Sequence, residues 1–482
     1  MRKKSVKKNY IYNLMFQILA IVTPIITTPY LARRLGPSGN GIYGYTISIV
    51  TYFILFGSLG INLYAQREIA YVQDNKKKRS KVFSEIFILK TITMIISMIC
   101  FYFFFCINGE YSIYFKILLL EMVANIFDIS WLYSGLEEFK TISIRNIFIR
   151  ILSVVMILTL IKGPGDVNRY IFIYTFTTLI SSLALWLNLR EYINFTTWKL
   201  NIIKHIKPTI ALFIPQIAIQ VYVVLDKTML GSILNDMNEV GYYEQAQKIV
   251  KLLLTVITSA GTVMLPRIAK EFADNNMDKI HAYMRKTFNF TFLLASPLIF
   301  GIIVVSNRFV PLFFGTGYGP VIPIMCSMSI IILFIGLSTV IGTQYLLPLK
   351  KQKEYTISVI IGAIVNLVLN FLLIYKFKSM GACIGTIVAE FTVTSVQLYY
   401  VRDKFKITEL LSLAKNYIFA GIIMFIACYF VGIYVPRRLI TVICQVSTGI
   451  IVYFGVLLLI RDKFVIQYTK IGLNYIKRLF KK

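Results

Sequence analysis

Residues 41–63 read GIYGYTISIVTYFILFGSLGINL, and no Asp, Glu, Lys or Arg interrupts them. A helix needs roughly 20 predominantly apolar residues to cross the hydrocarbon core of a bilayer, and this stretch has that length. The next segment is opposite in character: it is polar and ends in the run Lys76, Lys77, Lys78, Arg79. A second apolar stretch, 82–107, then begins. Span, short polar loop and span alternate in this way along the whole chain.

Working outward from 41–63, the same reading gives fourteen candidate spans: 10–32, 41–63, 82–107, 113–135, 147–161, 170–187, 209–230, 241–265, 288–306, 321–349, 355–375, 381–401, 417–435 and 439–460. The fold class expected is an all-α polytopic membrane protein of about 14 transmembrane helices. Composition agrees. The 482 residues are 57% hydrophobic and 15% charged, against roughly 25% charged in a soluble domain.

The formal net charge is +29. In a soluble protein that excess points to nucleic acid. Here most Lys and Arg residues gather in every second loop, and those loops become cytoplasmic if both termini are placed in the cytoplasm. Orientation explains the charge, so no nucleic-acid partner is expected. Lys76, Lys77, Lys78 and Arg79 and the tail residues Lys477, Arg478, Lys481 and Lys482 are expected to meet anionic lipid head groups. The basic start, Met1 to Asn9, precedes an apolar run too long for a signal peptide, with no small-residue cleavage site after it; it reads as a retained first span. Cysteine spacing suggests neither a metal site nor a disulfide framework, and no cofactor or metal is expected. His205 and His281 read as solvated residues of cytoplasmic loops, and the connection 190–207, which holds Trp198, looks amphipathic.

A weak internal repeat is present. Gly41-Ile-Tyr43 and Gly241-Tyr-Tyr243 open the second and eighth spans, and Arg67 and Arg267 follow those spans. The offset is 200 in both cases. Residues 1–207 then form a first lobe of six helices and 208–402 a second, with two further helices and a basic cytoplasmic tail in 403–482. An even number of spans per repeat gives a parallel repeat about an axis along the membrane normal, with a central site between the halves.

Gly39-Asn-Gly41-Ile-Tyr-Gly44 matches the dinucleotide fingerprint G-x-G-x-x-G. The fingerprint works only between a strand and a helix; this copy lies between membrane spans, where its glycines are expected to serve a tight turn. Polar residues inside the spans carry more information, because each is costly in hydrocarbon. Glu121, Asn125 and Asp128 fall at i, i+4 and i+7 in span four, which makes one helical stripe. Glu244, Lys248 and Lys251 do the same in span eight, beside Gln245 and Gln247. Span five carries Arg150; span seven carries Gln216, Gln220 and Asp226-Lys227; span eleven carries Asn366 and Asn370; span twelve carries Glu390 and Gln397; span one carries Asn13 and Gln17. The stripes and Arg150 are read as lining a water-filled cavity for a charged substrate. Arg150, Lys248 and Lys251 would bind phosphate. Glu121, Asn125, Asp128, Asp226 and Glu390 are cavity or coupling candidates. Arg33 and Arg34 are placed at the outer mouth, with an exposed turn as the equal alternative. Lys90, Lys116 and Lys227 are assigned to interhelical glue or to snorkelling near span ends.

Several of these stretches carry a family resemblance. Thr28-Pro-Tyr-Leu-Ala-Arg-Arg-Leu-Gly36, Asp128-Ile-Ser-Trp131 with Gly135-Leu-Glu-Glu-Phe139 and Arg145-Asn146, Leu225-Asp-Lys-Thr-Met-Leu-Gly231 and Gly241-Tyr-Tyr-Glu-Gln-Ala-Gln-Lys248 resemble the bacterial oligosaccharide or polysaccharide repeat-unit flippases of Wzx type. Their superfamily also holds the multidrug/toxin extruders and the lipid II flippase. The resemblance covers nearly the whole chain. It implies two six-helix lobes plus two added helices, and alternating access in the bacterial plasma membrane. The implied substrate is a polyprenyl-diphosphate-linked oligosaccharide, carried from the inner to the outer leaflet for capsule or other surface polysaccharide. Membrane lipids, a polymerase and export machinery are the implied further partners. A teichoic-acid precursor is an alternative substrate. A membrane polymerase or glycosyltransferase is the alternative class, and the short outside loops argue against it; the chain is not expected to be an enzyme. Moving two negative charges outward across an inside-negative membrane gains roughly 4–5 kcal/mol per 100 mV, enough to bias direction.

Overall fold

The computed structural model describes residues 6–194, 200–405, 407–435 and 438–469. Trp198 and the basic tail lie outside them, as do the side chains of Asn13, Gln17 and Gln216. The helices, numbered in chain order, are α1 (Val6–Ser58), α2 (Ile61–Tyr71), α3 (Lys76–Phe101), α4 (Ser112–Phe127), α5 (Ser130–Gly135), α6 (Phe139–Leu160), α7 (Val167–Ala184), α8 (Leu189–Tyr192), α9 (Ile206–Leu234), α10 (Met237–Ala273), α11 (Met277–Phe313), α12 (Val321–Met328), α13 (Ile331–Ser338), α14 (Gln352–Val401), α15 (Ile407–Tyr434) and α16 (Arg438–Leu459). Among the described residues, ten helical runs are long and apolar enough to cross a membrane.

Two of the helices, α1 with 53 residues and α14 with 50, are long enough for two crossings, and each is bent at a single residue. In α1 the bend is Gly36 (φ 69, ψ −180); in α14 it is Lys378 (φ 52, ψ −133). Each bend separates two of the spans expected from the sequence. At Gly36 the cause is local. Glycine takes a positive φ without a Cβ clash, and Pro37 supplies the fixed φ and missing N–H that suit a first helical position. The turn between the first two spans is therefore held by Gly36, ahead of the G-x-G-x-x-G stretch expected to make it. Gly41, within that stretch, serves close approach instead. A Cβ there would lie 1.7 Å from the Met237 carbonyl oxygen, and one on Gly241 would lie 2.1 Å from that of Pro37. The contact is reciprocal, and its two sides are related by the offset of 200.

The chain forms two compact units, Met1–Gly241 and Tyr242–Lys482. The first includes α9. One of its cores gathers Leu31, Val50, Met94, Phe101 and Met122; another gathers Ile61, Phe83, Trp131, Tyr133 and Leu189. The second unit packs α11, α15 and α16 around Phe288, Phe292, Tyr417, Met424 and Tyr453. Phe419, Ile422, Ile450 and Ile451 on α15 and α16 are exposed, as befits helices whose outer face meets lipid.

Candidate functional site

The fourth span is broken in its interior. α4 stops at Phe127, and Asp128 turns away with φ −71 and ψ 105. The Asp128 carboxylate then opens α5, accepting from the Ser130 backbone N–H at 3.0 Å and the Ser130 hydroxyl at 3.1 Å. Ser and Asp favour such local turns because their side chains bond nearby backbone. This corrects the expected stripe: Glu121 and Asn125 share α4, and Asp128 lies beyond its end.

A helix end leaves carbonyls without intrahelical donors, and where they are buried they need other partners. Two side chains supply the donors. Trp186 Nε1 donates to the Phe127 carbonyl at 2.8 Å, and Lys90 Nζ donates to the Asp128 carbonyl at 2.9 Å. Lys90 is fully buried, so of the two expected roles it serves as interhelical glue and does not snorkel. Snorkelling requires the head group to reach water, and this one is spent on a broken backbone. Arg145, on α6, donates to the Ser181 carbonyl at 3.2 Å and to Asn146 Oδ1 at 2.6 Å. The Asp128 charge acts on both Lys90 and Arg145. The Ser58 hydroxyl closes the group by donating to Asn125 Oδ1 at 3.1 Å.

The other predicted residues of the first unit lie apart from this break. Glu121 lies against Thr178 and Tyr174 of α7, and its Oε2 is buried without a hydrogen-bond partner among the described residues. Arg150 is half-buried on α6. Asp226 is buried on α9, beside a hydroxyl seam with α1 in which Ser48 and Thr228 lie 2.8 Å apart and Tyr45 and Ser232 3.3 Å apart. Arg34 donates to the Lys162 carbonyl at 3.2 Å, and Tyr30 donates to the Ile161 carbonyl at 2.6 Å. Both therefore hold the C-terminal end of α6, where the helix dipole favours a cation. Arg33, on the same turn of α1, is exposed.

In the second unit, Glu244 holds Lys248 at 2.8 Å across one turn of α10; Glu244 is buried and Lys248 partly accessible. The i, i+4 spacing of the sequence is thus realised as an ion pair. Lys251 is half-buried on the same helix. Tyr243 and Thr386 hydroxyls lie 2.9 Å apart, and Gln247 Nε2 donates to Tyr243 at 3.3 Å. Asn370 donates to Asn366 at 3.2 Å, and Gln397 to Ser358 at 3.1 Å. Glu390 faces Tyr355.

Sequence reasoning missed a charged cluster at the head of α9. His205 is buried, which overturns its reading as a solvated loop residue. Its Nδ1 lies 2.7 Å from the Tyr64 hydroxyl and its Nε2 3.0 Å from Glu85 Oε2. Arg79, expected at lipid head groups, is buried too and donates to the Tyr192 carbonyl through Nε and Nη2 at 3.0 and 2.8 Å. The connection before α9 binds along the first turns of α3, and that draws both residues inward. Lys77 and Lys78 stay exposed. Among the described residues no group of His, Cys, Asp and Glu could hold a metal ion.

Residues 6–272, more than half of the chain, match the family described as polysaccharide biosynthesis protein. The chain belongs to that family. This family member is 26% identical over 407 residues to the protein named "Putative O-antigen transporter" of Escherichia coli (strain K12), covering 83% of this chain and 98% of the relative. It is 22% identical to the capsular polysaccharide biosynthesis protein CapF of Staphylococcus aureus, covering 82% of this chain and 98% of that one. Its fold is that of the lipid II flippase MurJ in an inward closed conformation, with TM-score 0.74 and 19% identity over 94% of this chain and 99% of that one. An inward-facing MATE multidrug transporter matches with TM-score 0.65 and 14% identity over 83% and 96%.

Proposed function

We propose that this protein is a flippase that moves a lipid-linked oligosaccharide across the bacterial plasma membrane for surface polysaccharide assembly. The observation that carries this is the similarity to an O-antigen transporter over almost that protein's whole length. A capsular polysaccharide protein matched over a similar span and the flippase-like fold support it. We take the lipid carrier to be a polyprenyl diphosphate, both termini to be cytoplasmic and the movement to be alternating access from the inner to the outer leaflet. Arg150, Lys248 and Lys251 are our candidates for the diphosphate head group: cations on spanning helices, where an anion would meet a low-dielectric field. Named relatives that transport or flip, rather than polymerise, set the reading against a membrane polymerase.

The test is transport of a fluorescent lipid-linked oligosaccharide in proteoliposomes. Arg150→Ala and Lys248→Ala are each expected to lower initial transport about tenfold, the worth of a charge-assisted hydrogen bond. Unchanged transport at equal protein incorporation removes that residue from the head-group site. No transport of any lipid-linked glycan by the wild type would remove the function. An imposed potential without an ion gradient is expected to bias direction by itself.

A further inference from the structure

The segment that leads into α9 is fastened by side chains that the transport reading leaves unused. Glu85, on α3, is fully buried and receives three donors. These are the Asn201 backbone N–H at 2.8 Å, Lys204 Nζ at 2.6 Å and His205 Nε2 at 3.0 Å. On its other edge His205 meets Tyr64 of α2 at 2.7 Å. The His205 carbonyl accepts the Thr209 hydroxyl, which ties the cluster into the first turn of α9. One imidazole thus joins three elements.

We propose that this cluster is a proton-operated latch: neutral His205 fastens the head of α9 to α2 and α3, and one added proton loosens it. The hydrogen-bond pattern fits one neutral tautomer. Nε2–H donates to Glu85, and Nδ1 accepts from the Tyr64 hydroxyl. Charge is then balanced, since Lys204 already offsets Glu85. A second proton turns Nδ1 into a donor. The Tyr64 hydroxyl hydrogen loses its acceptor while buried, and an unpaired buried donor is costly. The cluster also gains a positive charge. From α2, Arg67 stands over the Tyr64 ring at 5.5 Å and opposes that charge; Glu68, which pairs with Arg67 at 3.4 Å, offsets Arg67 in part. From α3 the facing charge is Glu85, and from the segment itself it is Lys204. The latch therefore holds while the ring is neutral and releases when the ring takes up a second proton.

The full-length protein in nanodiscs suffices for the test. The chain has two histidines, so ring nitrogen-15 labelling gives two signals, assigned with His281→Gln. At pH 8 the His205 ring is expected as the neutral Nε2–H tautomer. As the pH is lowered from 8, ring protonation is expected to coincide with a rise of about tenfold in hydrogen exchange over residues 201–209, after correction for intrinsic rates, the size of one lost hydrogen bond. His205→Gln, which can donate to Glu85 and accept from Tyr64, is expected to keep the pH 8 protection and lose the step. Tyr64→Phe is expected to lower protection at pH 8 and shrink the step. The opposite tautomer, ring protonation without a change in exchange, or a step that persists in His205→Gln overturns the latch. Should His205→Gln fail to fold, the coincidence of the two wild-type measurements still decides.

Discussion

The two units bury different kinds of polar group. In the first, the buried groups include Arg79, Glu85, Lys90 and Asp226, all ionisable. In the second they are hydroxyls and amides, the amides including Gln245, Gln344, Asn366, Asn370 and Gln397, with Glu244 and Asp462 as its buried carboxylates. The contrast extends to satisfaction at the backbone breaks, although Glu121 Oε2 of the first unit is also buried with no hydrogen-bond partner among the described residues. Lys90 and Arg79 are spent on backbone carbonyls left open by a helix break or a connection. Gln344 Oε1 and Gln397 Oε1 are buried with no hydrogen-bond partner among the described residues. A charge in a low-dielectric interior demands a complete set of partners. A neutral amide tolerates an incomplete set at modest cost and can exchange one partner for another. The first unit uses charge as a staple for irregular backbone; the second holds polar groups that are free to re-pair.

Substitution tests that contrast. Lys90→Met removes the donor to Asp128 and leaves the Asp128 carboxylate facing one cation fewer; a loss of about 3 kcal/mol is expected, read as the largest fall in thermal midpoint of the three variants in nanodiscs. Trp186→Phe keeps the ring packing on Phe83 and Phe87 and deletes one hydrogen bond, for about 1 kcal/mol. Gln397→Leu removes a group already half-satisfied and is expected to stay within about 1 kcal/mol of wild type. Equal losses for Lys90→Met and Gln397→Leu would erase the distinction. A neutral Trp186→Phe with a costly Lys90→Met would sharpen it, by placing the staple in the charge alone.

Much of this fold is legible in the sequence because a bilayer imposes a length on apolar runs, and runs such as 41–63 meet it without ambiguity. The bend at Gly36 is nearly legible, since Gly-Pro marks a turn; the bend at Lys378 is not, because nothing in a lysine announces a positive φ. Periodicity finds the Glu244–Lys248 pair and the Asn366–Asn370 bond, both contacts within a single helix. It fails at Asp128, where the helix has already ended. Lys90 and His205 escape it for one reason. Their partners lie far along the chain, Asp128 for the one and Tyr64 and Glu85 for the other, and no local spacing encodes such meetings. Polar composition alone makes His205 look solvated.

The crossing of Gly41 and Gly241 has a consequence for how such sequences can drift. Most tight contacts can be renegotiated, with one side chain shrinking as its neighbour grows. Here each glycine faces the main chain of the opposite helix, at Met237 and at Pro37, and a carbonyl has no smaller version. No second substitution can make room for a methyl group at either position. If the two halves descend from one ancestral segment, this is a single site that duplication locked in twice, and each copy is held to glycine without reference to what the other becomes.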